Sequence, residues 1–110
     1  VAIVLTAQET LFESPLDTIR SLVRSERWLL AVHVQEDLEV GAYEVCDLER
    51  SICTGTITKI ERDELCEAID RKKYVISGVD QYGLAFETCG KIVDWIEGHT
   101  YFFITAYKER

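Results

Sequence analysis

The chain has 110 residues and carries 20 Asp and Glu against 12 Lys and Arg, for a net charge of -8. Hydrophobic residues make up 47% and charged residues 29%, enough for one modest core and too apolar for a disordered chain. So acidic a surface repels phosphate backbones and anionic lipid, which argues against direct nucleic-acid or membrane binding.

One Pro and six Gly leave no linker-like stretch, so residues 1–110 are read as a single domain. Cys46, Cys53, Cys66 and Cys89 form no CxxC pair, and there are only two histidines. No zinc site of the usual spacing is written here, and no cofactor or metal is expected. The opening VAIVLTA lacks a basic start and runs into Gln8 and Glu9, so it is not read as a leader. The expectation is a cytoplasmic protein with reduced, mostly packed thiols.

In chain order, residues 1–7 are a continuous apolar, β-branched run that predicts a central strand. Ser14-Pro15-Leu16-Asp17 then predicts a helix start. Ser14 can cap free N–H groups, Pro15 has no N–H to leave unpaired, and Asp17 favours the positive dipole end. With Leu16, Ile19, Leu22 and Val23 on one face, a helix is predicted over 15–25. Apolar residues on both faces predict a strand over 27–35. A second strand is predicted over 40–46, a turn over 47–50 and a partner strand over 51–59.

Thr58 and Glu61 have capping-box spacing, and Asp63 is an alternative cap, so a second helix is predicted from there to about 72. Leu65, Ala68 and Ile69 would form its buried stripe, with Asp63, Glu67 and Asp70 opposite. Strands over 74–79 and 84–88 follow, joined by Asp80-Gln81-Tyr82-Gly83. The densest aromatic stretch, KIVDWIEGHTYFFITAY at 91–107, reads as a hairpin turning at Glu97-Gly98-His99. A short helix over 92–96 competes there and is disfavoured by Gly90 and the β-branched residues. The sum is an α+β fold: a mostly antiparallel sheet of about six strands packed against two helices.

Chemistry is harder to find. The phosphate-cradling patterns GxGxxG and GxxxxGK[ST] are absent, as is the nucleophile elbow GxSxG. Cys89 could meet His99 with Asp94 orienting the ring, but a packed thiol and a solvated turn histidine are the plainer reading. His33 on an apolar face reads as a rim histidine rather than a ligand. Tyr101, Phe103, Thr105 and Tyr107 alternate with Phe102, Ile104 and Ala106. One set is core, and the other is an apolar face that needs a cover or a partner.

The strongest charge feature is Glu36, Asp37, Glu39, Glu44, Asp47 and Glu49, six acids with no Lys or Arg between them. These, with Asp63, Glu67 and Asp70, are the candidate partner-binding residues. The leading expectation is a non-enzymatic acidic binding protein that masks a basic surface of another protein. Nuclease inhibitors, toxin immunity proteins and phage anti-defence proteins share this composition. The alternatives are a small enzyme or ligand-binding domain with a pocket near His33, Tyr43 and Cys89, and a homo-oligomeric subunit. In the last, a homodimer would pair through the C-terminal strand.

Overall fold

The computed structural model describes residues 14–96 and 98–108; the strand expected over 1–7 lies outside them. The first element forms as its sequence dictates. Helix α1 spans Pro15–Arg24, Ser14 Oγ accepts from the Asp17 N–H at 3.1 Å, and Ile19 and Val23 are buried. It ends in a Schellman turn: the Arg27 N–H donates to the Leu22 carbonyl and the Glu26 N–H to the Val23 carbonyl. Glu26 occupies the left-handed position (φ 58°) that glycine usually takes there.

Strand β1 is only Trp28–Leu30. The long strand expected over 27–35 stops where helix α2, Val32–Glu39, begins. The alternation that suggested a strand ends at Ala31, an extended N-cap without a side-chain cap. Within α2, Val34 is the buried residue. No strand forms over 40–46, and helix α3, Val45–Thr54, takes the place of the turn expected over 47–50 and of the first part of the strand expected over 51–59, of which only the part from Thr56 onward is strand. The start of α3 is signalled by a capping box built from acids. The Asp47 carboxylate accepts from the Glu44 N–H at 2.8 Å, the Glu44 side chain lies on the facing side of the box, and the Asp47 N–H donates to the Glu44 carbonyl at 3.0 Å. Strand β2 follows at Thr56–Arg62 and β3 at Lys72–Val79.

No helix forms between β2 and β3. Cys66 (φ 56°) and Arg71 (φ 62°) are in the left-handed region and break any helical run. Asp63 still acts as a cap, but of a loop: its carboxylate accepts from the Leu65, Glu67 and Ala68 N–H groups. The β3–β4 turn forms as expected, with Asp80 accepting from the Tyr82 and Leu84 N–H groups. Strands β4, Ala85–Trp95, and β5, Gly98–Lys108, make a hairpin in which β4 joins the strand expected over 84–88 to the first arm expected at 91–96, and Gly98 and His99 lie in β5, opposite Trp95 and Asp94, rather than in the turn. Strand therefore prevails over helix at 92–95.

Among the described residues the result is one α+β unit with a five-stranded mixed sheet and three helices, where the sequence predicts a mostly antiparallel sheet of about six strands and two helices. Strand order is β1-β5-β4-β3-β2. β1 runs parallel to β5, and the other neighbours are antiparallel. β5 thus lies inside the sheet, flanked by β4 throughout and by β1 at Tyr101–Phe103. The C-terminal strand, expected as an edge, has β1 beside it only at Tyr101–Phe103, and beyond Phe103 no described strand pairs with it on that side. The outer strand β2 carries a bulge between Ile57 and Lys59 and mixed charges at Lys59, Glu61 and Arg62. Both features discourage edge pairing.

One face of the sheet packs on the helices. Phe86 and Ile92 of β4, Tyr74 and Ile76 of β3, and Tyr101 and Phe103 of β5 join Ile19, Val23, Val34, Leu48 and Ile52 in one core. Gly90 is needed there because the Tyr101 ring crosses it: a Cβ would come within 2.4 Å of the ring. A register shift between Cys89 and Gly90 leaves Ile104 without a partner on β4. This bulge reverses the facing of β5, so Ala106 is buried and Tyr107 exposed. The unbroken aromatic face expected over 101–107 ends at Phe103.

Candidate functional site

The nine candidate acids separate into two groups. The first is used internally. Asp47 is buried; its carboxylate accepts from the Glu44 N–H at 2.8 Å and the Gln81 N–H at 3.0 Å, tying α3 to the β3–β4 turn. Burial alone would raise its pKa, but hydrogen bonds from Gln81 and Glu44 outweigh that and hold it below the ordinary value.

Asp63 is only 1% exposed, as is Lys91. Lys91 Nζ lies 3.1 Å from Asp63 Oδ1 and 2.7 Å from Glu67 Oε1. Burial opposes the charge on each, yet Asp63 is held below its ordinary pKa by the Ala68 N–H, Lys91 and the Glu67 N–H. Lys91 is pushed up by Glu67 and Asp63 despite its burial. Asp70 accepts from the Tyr74 hydroxyl, and burial followed by that carboxylate pushes the phenol up. Asp63, Glu67 and Asp70 therefore do not line a solvated helix face; their carboxylates fasten the 63–71 loop to the sheet.

The second group faces outward. Glu36 and Glu39 are exposed on α2, and Glu49 is half-buried on α3. None of the three side chains has a hydrogen bond or ion pair among the described residues. Asp37 and Glu44 are intermediate cases. Asp37 accepts from the Tyr43 hydroxyl at 3.1 Å, and Glu44 accepts from Gln81 Nε2 at 3.1 Å. Every ion pair among the described residues lies in another part of the fold: Lys59–Glu61, Lys91 with Asp63 and Glu67, His99–Asp94 and Lys108–Asp80. Within the α2–α3 segment, Glu36, Glu39 and Glu49 thus carry negative charge without an ion pair to a described cation.

The residues considered for chemistry are dispersed. Cys89 pairs with Thr105 while His99 pairs with Asp94. At about 3.3 Å per residue, five positions along β4 separate the thiol from the imidazole by roughly 17 Å. His99 Nδ1 does meet Asp94 Oδ1 at 2.8 Å, on the exposed hairpin. His33 is exposed on α2, and Tyr43 is buried in the core beside Phe86. Cys46, Cys53 and Cys66 are exposed free thiols and only Cys89 is partly covered, so the thiols are not mostly packed. Burial pushes the Cys89 thiol up, away from a reactive thiolate. Among the described residues no cluster of His, Cys, Asp and Glu is placed to hold a metal. No described helix is long and apolar enough to cross a membrane.

The face of the sheet opposite the helices carries two adjoining depressions, each of about 500 Å³. Leu29 and Trp95 line both; Val93 and Phe102 belong to one, Trp28 and Ile96 to the other. The sequence carried part of this signal, in the second apolar face of the 101–107 run. It did not show that the 63–71 loop covers only part of that face.

Comparison with known proteins finds no family model, curated protein or solved structure that matches this chain.

Proposed function

We propose that the chain is a non-enzymatic binding protein that masks a basic surface of another protein, as an inhibitor or immunity protein does. The observation that supports this reading most is the α2–α3 block, in which Glu36, Glu39 and Glu49 stand without a cation. The chain has 12 Lys and Arg, yet none of them pairs with these three acids among the described residues. Repulsion within such a block is relieved when a cationic surface meets it, and the same field steers encounter with a basic partner. Asp47 and Asp63, being buried, act indirectly by fixing the scaffold. Three exposed free thiols suit a reducing compartment, which supports a cytoplasmic setting.

The test is affinity capture from the native host at low and high salt. The bait is the wild-type chain or Glu36→Lys/Glu39→Lys/Glu49→Lys, with the captured protein identified by mass spectrometry. The expected result is a basic protein held by wild type at low salt, released by high salt and not captured by the variant. Capture of the same protein by the variant, indifferent to salt, would overturn the reading.

A further inference from the structure

On the open face of the sheet, the groove at the β4–β5 hairpin end exposes more apolar surface than folding explains. Trp95 is 56% exposed and Ile96 87%, and Leu29, Val93 and Phe102 continue the surface inward. A contiguous patch of this kind, with a tryptophan at its centre, marks an interaction site. We propose that this groove docks a segment of a partner protein in which an aliphatic or aromatic side chain is flanked by Lys or Arg.

Charge selects that occupant. Glu26, Glu67 and Asp94 line the groove with Arg27, whose Nε donates to the His99 carbonyl at 3.0 Å; Lys91 meets Glu67 from beneath and shares its charge with Asp63, and the His99 ring meets Asp94, so the acids stay in excess. A phosphate or an acidic peptide meets net repulsion there. A second copy of this chain would bring the same carboxylates face to face, with -8 on each copy. A cationic residue beside an apolar one satisfies both features: the apolar side chain covers Trp95 and Phe102 while the cation approaches Asp94 or Glu67. This site shares no residue with Glu36, Glu39 and Glu49, and it stands or falls apart from them.

The experiment titrates the full-length, isotope-labelled chain with three short synthetic peptides: one alternating Lys and Leu, one Glu and Leu, one Lys and Ser. The Lys–Leu peptide shifts the Trp95 indole signal and the Val93 and Phe102 amides. It binds at least about tenfold more tightly than either control, and Trp95→Ala removes at least about tenfold of that affinity. Ile96→Lys, at a solvated position, also weakens it, while Glu36→Lys/Glu39→Lys leaves it unchanged. Equal binding by the Glu–Leu or Lys–Ser peptide overturns the proposal, as do shifts confined to α2. Two results in the free protein overturn it as well: cross-relaxation contacts from residues 1–13 to Trp95, or a concentration-dependent dimer that buries it.

Discussion

On the helix-covered side of the sheet, Phe86 and Ile92 of β4 meet Tyr101 and Phe103 in a dry apolar core. One residue away, on the other side of the same strand, Lys91 is equally buried but held by Asp63 and Glu67. The first side is covered by the three helices, whose interior backbone groups are already paired. The second is closed only by the 63–71 loop, whose amides need acceptors of their own. Asp63 supplies those acceptors, and its charge then requires Lys91. Beyond the reach of that loop the open side stays uncovered, which leaves Trp95 at the surface. The helices cover the sheet mainly with apolar side chains, their one buried carboxylate, Asp47, serving the α3 cap and the Gln81 N–H, whereas the irregular loop brings a buried ion pair with it.

The largest expected effect breaks the sealed side. Phe103→Ala removes a buried ring that meets Tyr101 edge-on at 5.0 Å and Trp28 at 6.4 Å. It should cost about 3–5 kcal/mol in urea denaturation. Lys91→Met tests the loop side. It leaves the Asp63 carboxylate buried without its cation and should cost about 3 kcal/mol.

The pH dependence sharpens that second test. Asp63 is lowered in the folded state, so its contribution is present above the ordinary carboxylate value of about 3.9 and is lost as pH falls through the lower, folded value. Lys91 is raised, so its contribution is complete below the ordinary lysine value of about 10.4 and is lost as pH rises through the higher, folded value. Denaturation midpoints across pH should therefore show a plateau between these limits. In Lys91→Met the alkaline loss from this group disappears, and the acid loss from Asp63 shrinks, because without its cation the folded carboxyl is lowered less.

Gly78→Ala probes how closely the helices seat. A Cβ at Gly78 would lie 2.2 Å from the Ser51 carbonyl and 2.9 Å from Thr54 Oγ1, forcing α3 off β3. A loss of about 1–3 kcal/mol is expected from thermal or urea unfolding. Ile96→Lys should be the smallest change, within about 0.5 kcal/mol, because the open side contributes little to stability there. A large loss at Ile96 would mean that this side is not open.

The same contrast explains what the sequence made legible. Ser14-Pro15 and the apolar stripe behind it identify α1, because cap, proline and periodicity agree. The β3–β4–β5 meander was readable from β-branched runs broken at Asp80–Gly83 and Gly98. Residues 31–54 were not readable, since Leu29, Ala31 and His33 alternate like a strand and α3 is capped by Glu44 and Asp47 rather than Ser or Thr. Asp63 predicts a helix cap, but the helix does not form: its carboxylate accepts the N–H groups of a loop in which Cys66 and Arg71 are left-handed. No local pattern announces left-handed backbone at a cysteine or an arginine. The acids of α2 were visible by composition alone. That Asp47 and Asp63 point inward follows from tertiary contacts with Gln81 and Lys91, 34 and 28 residues away.

The most direct measurement of the functional claim is the affinity of the captured, purified partner as a function of salt, for wild type and for Glu36→Lys/Glu39→Lys/Glu49→Lys. We predict that wild-type affinity falls steeply with salt, and that the variant binds at least about tenfold more weakly with a much shallower salt dependence. Equal affinities and equal slopes for the two chains would contradict it.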